Sequence, residues 1–178
     1  MQPDPKLPPG FFALRCSGDP VPAAVAQADA GAEPGTLLHR DVGARCTFAV
    51  VLAPDRPIDD ATLLGLATGA VREALAAMVP PGLPIEAQAR RLLLNGGEVA
   101  TLEARRAAAA MDGVPDWLVL GIDVAVDLRE ADPGLHPDST CLAEEGCDAS
   151  ADEVMAAICR HLLAGFDAWH ETAERCAA

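Results

Sequence analysis

Six cysteines, four histidines and a single lysine bound the chemistry this chain can do. Cys16, Cys46, Cys141, Cys147, Cys159 and Cys176 include no C-x-x-C pair, and His39, His136, His161 and His170 are equally dispersed. Metal sites draw on closely spaced ligands, so the spacing predicts none. Cys159 and His161 lie two apart on a predicted helix and so face different sides. The lone lysine, Lys6, sits in a proline-rich leader, and the other twelve basic residues are arginines. Arginine stays charged at working pH and clamps anions; it is neither a nucleophile nor a tunable base. A mechanism needing a buried catalytic lysine therefore has no candidate in the body of the chain. Among these arginines are Arg45, Arg90 and Arg91. Glu86 and Glu98 are the acids placed to neutralise the last two.

The elements that must position these groups are organised around Arg90 to Leu102, RRLLLNGGEVATL. Asn95-Gly96 between two apolar runs predicts a hairpin, because both central positions of so tight a turn need φ > 0. Leu92-Leu93-Leu94 is continuous rather than alternating, which predicts a strand covered on both faces. Residues 117 to 126, WLVLGIDVAV, form the best strand of the chain and should lie inside the sheet. Strands are also expected near residues 11–16, 36–40, 46–52 and 84–87. Helices are expected from Pro20 to about Ala30, from Asp59 to about Val79, and from Ser150 onward. Ser150-Ala151-Asp152-Glu153 has the form of a capping box. Met155, Ile158, Leu162, Phe166 and Trp169 then recur at helical spacing. Paired strands with interspersed helices predict an α+β fold: a mixed, largely antiparallel sheet with helices packed on one face. The expected organisation is a mobile leader over residues 1–10, a domain over 11–127, an acidic loop over 128–149, and a C-terminal helix over 150–178 packed on the domain.

Composition closes off several classes. A chain of 178 residues, half of them hydrophobic, can bury a real core in one domain. A formal net charge of −14 opposes nucleic-acid binding, which needs clustered cations. No apolar run approaches the roughly 20 residues of a membrane span. The first ten residues carry no secretory signal, so a cytoplasmic location with reduced thiols is expected.

In its order of segments the chain resembles the biotin/lipoate A/B protein ligase family. That family has a hairpin of the form N-G-x-K-V-x-G, then a strand ending in an apolar run of the form G-[IV]-[GN]-[IV]. Leu92-Leu93-Leu94-Asn95-Gly96-Gly97 and Val99 are similar to the hairpin, and Leu120-Gly121-Ile122-Asp123-Val124 to the later strand. Gly35-Thr36-Leu37 and Phe48 to Leu52 resemble the strands flanking the family's ligand-facing loop. The resemblance covers residues 11 to 127, and the final helix looks like the extension of a divergent bacterial branch.

The resemblance implies a ligase-like fold that binds biotin or a lipoyl or octanoyl acid and, in active members, joins it to ATP as an acyl-adenylate. In the family a lysine steadies the carboxylate and the developing charge. Here Glu98 occupies that position, and Gln88, Ala89 and Arg90 replace the family's tryptophan, proline and asparagine. Only Arg40, Gly43 and Arg45 remain of the Arg- and Gly-rich loop. No catalytic residue is assigned, and the ligand-binding candidates are Arg45, Arg90, Asn95, Gly96 and Gly97. The expected function is a binding or accessory module without the lysine-dependent chemistry, taking a small acyl-type ligand or a protein partner. The alternative is an active biotin, lipoyl or octanoyl ligase or transferase with rearranged residues, Cys46 being a conceivable nucleophile.

Overall fold

The computed structural model describes residues 5–42, 44–108, 113–128 and 138–177. Parts of the expected leader and of the acidic loop, together with residues 109–112, Gly43 and Ala178, lie outside them. The elements run β1 (Phe12–Arg15), α1 (Pro20–Asp29), β2 (Thr36–Val42), β3 (Arg45–Leu52), α2 (Asp60–Ala76), β4 (Ile85–Gln88), β5 (Arg91–Leu94), β6 (Gly97–Arg106), β7 (Leu118–Ala125) and α3 (Ala151–Ala177). One seven-stranded sheet has the order β1-β2-β3-β7-β6-β5-β4. Only β1 and β2 pair in parallel; every other neighbour is antiparallel. The expected α+β class is therefore observed, with β7 at the centre of the sheet.

The Asn95-Gly96 turn joins β5 to β6 with φ of 52° at Asn95 and 88° at Gly96, the left-handed pair that this kind of turn demands. A β-bulge follows, because Leu92 pairs with Ala100 while Leu93 pairs with Glu98. Val99 is the extra residue. It lies with Ala100 in the main core, as two residues opposing one can.

The helices do not share one face, which corrects the expectation from sequence. α2 and α3 cover one side, burying Leu64, Val71, Leu75, Val154, Ile158 and Leu162 against Phe48, Val50, Leu120 and Ile122. α1 covers the other, with Val21, Ala24 and Ala28 against Leu38, Ala49, Val51 and Val119. Side chains alternate along a strand, so the apolar pairs Leu37-Leu38 and Phe48-Ala49 already encode burial on both sides.

Two N-caps fix the long helices. The Asp59 side chain accepts the Thr62 N–H at 2.7 Å. At α3 the expected capping box is complete. The Glu153 N–H donates to Ser150 Oγ at 3.3 Å, and the Ser150 N–H donates to Glu153 Oε2 at 2.9 Å. Thr62 lowers the Asp59 pKa, chiefly through its backbone N–H, and Ser150 lowers that of Glu153 in the same way. A lowered carboxylate stabilises the fold above its unfolded pKa, and that contribution is lost as pH falls through the folded value. Of the leader, Pro5 is buried and Leu7 rests against the main core.

A cleft at the N-terminal end of helix α1

Register places one polar row across the α1 face of the sheet. Arg40 pairs with Thr47, Thr47 with Asp123, and Asp123 with Thr101, so these side chains stand side by side on β2, β3, β7 and β6. Arg91 on β5 extends the row beyond Thr101. The next row along the same face is Leu38, Ala49, Gly121 and Glu103.

α1 lies over this second row because Gly121 leaves room for it. A Cβ there would stand 2.3 Å from Val21 Cγ2 and 3.1 Å from Glu103 Cγ. The first residues of α1 therefore roof a cleft of about 380 Å³, within the usual range for small-molecule sites. Its polar walls are Asp19, Arg40, Thr47, Thr101, Glu103 and Asp123, with Pro20, Val21 and Gly121 among the apolar surfaces.

The carboxylates of the cleft are already engaged. Asp123 receives Arg45 Nε at 2.9 and 3.0 Å and the Thr47 hydroxyl at 2.9 Å. Glu103 forms an ion pair with Arg105. Asp19 caps α1, accepting the Val21 N–H at 3.0 Å. Arg40 differs: its Nε is buried and has no hydrogen-bond partner among the described residues.

The candidates read from sequence are dispersed by the fold. Arg45 is not among the residues lining the cleft and is committed to Asp123, which is. Arg90 is exposed in the connection between β4 and β5. Asn95 donates to Glu145 Oε2 at 3.1 Å. A Cβ at Gly97 would come within 2.9 Å of Thr140 Cβ. Asn95 and Gly97 therefore serve the packing of the segment around residues 139–145. Gly96 supplies the turn. Glu98 has its backbone bonded to residues 138 and 140, at 2.8 and 3.0 Å. Its carboxylate lies 3.7 Å from Arg91. Glu98 and these turn residues are not among the residues lining the cleft.

Cys46, the conceivable nucleophile, points to the opposite side of the sheet, into the α2/α3 core, and is 1% exposed. Burial pushes its thiol well above the ordinary range and raises Cys159 to about 12. A thiolate is the reactive form. Iodoacetamide at neutral pH should therefore spare both in the folded protein and modify the half-buried Cys16 before either of them, read by peptide mass spectrometry. Early modification of Cys46 would return it to candidacy as a nucleophile. Among the described residues no group of His, Cys, Asp and Glu could hold a metal ion, and no helix is long and apolar enough to cross a membrane.

A seven-stranded mixed sheet with helices on both sides, α1 on one and α2 and α3 on the other, has the biotin/lipoate ligase-like architecture. Solved structures of the same architecture bear this out. A biotin protein ligase-like protein of unknown function from Silicibacter sp. TM1040 superposes with a TM-score of 0.83 at 28% identity, over 94% of this chain and 75% of that one. The Aquifex aeolicus biotin protein ligase R40G mutant, solved with biotin, gives 0.70 at 18% identity, over 89% and 71%. The Leishmania major biotin protein ligase, also solved with biotin, gives 0.59 at 13% identity, over 87% and 73%. The chain belongs to the biotin/lipoate A/B protein ligase family, whose model matches residues 7–177. A comparison with curated proteins finds no match.

Sequence reasoning gave no site role to Thr47, Thr101, Gly121 or Asp123, the last two having been matched only to the family's later strand. Arg40 was noted only as a remnant of the family's loop. Their common signal is strand register, which joins positions 76 residues apart such as Thr47 and Asp123.

Proposed function

We propose that this chain is a binding module of the family: it holds a small acyl-type ligand in the α1 cleft and does not activate it by the lysine-dependent acyl-adenylate route. The observation that carries this reading is Glu98, which stands at the family's lysine position and faces Arg91 across 3.7 Å. A carboxylate there, paired with Arg91, cannot supply the cation that an adenylating site sets against the acid and the triphosphate. A second feature agrees with it. β2 and β3 remain paired from Leu37–Val50 to Val42–Arg45, so two residues connect them, too short a link to close over a bound nucleotide. The Aquifex ligase has been solved with biotin and ATP together; in this chain the proposed occupant is the acyl group alone. The free thiols of Cys16, Cys46, Cys141, Cys147 and Cys159 suit a cytoplasmic setting, and a protein partner that receives or supplies the ligand fits the same role.

The test mixes purified protein with ATP and biotin, lipoate or octanoate. No pyrophosphate should be released, while at least one acid alone raises the melting temperature. A ligand at about a hundred times its Kd adds about 2.7 kcal/mol to the native state. Sustained pyrophosphate release by the natural sequence would overturn the reading in favour of an active ligase.

A further inference from the structure

We infer that the chain carries a second small-molecule site, on the opposite side of the sheet from the α1 cleft, and that it takes an uncharged aromatic ring bearing one hydrogen-bond donor. The site is independent of the α1 cleft and of what that cleft holds.

The site is built where β3 and β7 end. Leu52 and Leu118 form the last pair of their ladder. Pro54, with no N–H to continue a strand, turns the chain away from the sheet. Leu118 packs with Ile58 and with Leu63 of α2, so this end of the ladder faces the α2/α3 side. α3 crosses the opening with Phe166 and Trp169. These residues leave a pocket of about 210 Å³ walled by Leu52, Ile58, Leu118, Phe166 and Trp169. An apolar cavity of about 150 Å³ already takes benzene, so the space suits one small ring system. The two aromatic walls offer edge and face contacts to such a ring.

The mouth sets charge and polarity. Asp55 lines the pocket, receives Arg56 Nε at 3.3 Å and lies 3.4 Å from His170 Nε2. Arg56 also meets His170 Nδ1 at 2.7 Å and stands over the Trp169 ring at 5.2 Å. A guanidinium only donates, so Nδ1 accepts and the imidazole proton sits on Nε2, towards Asp55. One carboxylate and one guanidinium cancel at the mouth, which favours an uncharged ligand. Both contacts of Asp55 fall on Oδ1, and Oδ2 is left to accept an N–H or O–H from the ligand. A hydrogen bond to a carboxylate is among the stronger kinds.

A small molecule fits this pocket better than the side chain of a partner protein. Protein interfaces surround an anchor with further contact surface that excludes water. The large exposed hydrophobics among the described residues are Phe12, Leu14 and Leu163, and none of them lines this pocket.

Indole and its isostere benzofuran, in which an oxygen replaces the N–H, are the probes. Calorimetry should find indole bound to the natural chain about tenfold more tightly than benzofuran, the scale of one hydrogen bond to a charged group. Asp55→Ala, an exposed change that leaves the apolar walls in place, should bind the two about equally. The two tryptophans report the place. Trp117 Nε1–H donates to Asp29 on the α1 side, while Trp169 is a wall of the pocket. In a ¹H–¹⁵N spectrum, assigned through Trp117→Phe, indole should shift the Trp169 side-chain signal and leave that of Trp117 in place. Movement of the Trp117 signal alone would overturn the site. Equal binding of indole and benzofuran to the natural chain would overturn the donor and the role of Asp55, and needs no variant to fold. No heat with either probe would overturn the site altogether. Binding of N-acetyltryptophanamide without binding of indole would overturn the small-molecule choice and give the pocket to a partner's side chain.

Discussion

A chain ending before Ser150 should lose its cooperative melting transition and bind hydrophobic dyes. α3 buries Val154, Met155, Ile158 and Leu162 to 3% exposure or less. They lie in the same core as Phe48, Val50, Val71 and Leu75. Fully burying one such side chain is worth about 1.5–3 kcal/mol, so these four together approach the whole stability of a domain, about 5–15 kcal/mol. Further along, Phe166 and Trp169 pack near Ile58, Leu63 and Leu118, with Arg56 over the Trp169 ring at 5.2 Å. The helix therefore acts as one wall of the core and not as an appendage. A soluble truncation with a single sharp transition by circular dichroism would refute this. Such a result would make residues 11–127 an independent folding unit.

Gly121→Ala should both destabilise the protein and close the cleft. One methyl added at this position meets Val21 Cγ2 at 2.3 Å, far inside van der Waals contact. Valine is branched at Cβ and stiff, so the strain passes to α1, which must lift or slide. Overpacking of this kind costs about 1–3 kcal/mol. A displaced α1 also moves Asp19, Pro20 and Val21, three walls of the cleft, so ligand stabilisation should vanish along with the stability. The partner variant Val21→Ala removes the obstructing methyl. Combining the two should cost less than the sum of the single changes, and a double-mutant cycle from denaturant unfolding measures the coupling. Strict additivity would show that Gly121 owes its place to something other than the seat of α1.

The fold was legible where the signal is local. Asn95-Gly96 specified a turn, and the structure puts both residues at positive φ. Ser150 and Glu153 specified a cap three residues apart, and both reciprocal bonds form. The apolar run of β7, interrupted within the strand only by Asp123, placed it at the sheet centre. The site was less legible because it is assembled by register. Nothing local sets Thr47 beside Asp123 or ties Arg45 to that aspartate, and the neutralising partner decides which arginine remains available. The bulge at Val99 was equally hidden, since it adds one apolar residue to a run already apolar. Gly121 could be matched to the family's later strand from sequence, but its purpose, making room for a helix a hundred residues earlier in the chain, belongs to the packed state alone.

The strand order also bears on how the molecule reaches that state. β7 joins two halves made from earlier sequence, pairing with β3 through partners as distant as Arg45 and Ala125 and with β6 through Ala100 and Val124. Until it inserts, β3 and β6 each present an open backbone edge. Bringing such remote segments together costs loop-closure entropy before any contact repays it, and folds dominated by non-local pairings assemble slowly. During synthesis the first six strands emerge before the strand that unites them, and α3, which seals the apolar side, emerges later still. Two incomplete half-sheets with bare edges must then stay apart from other chains until the keystone strand arrives.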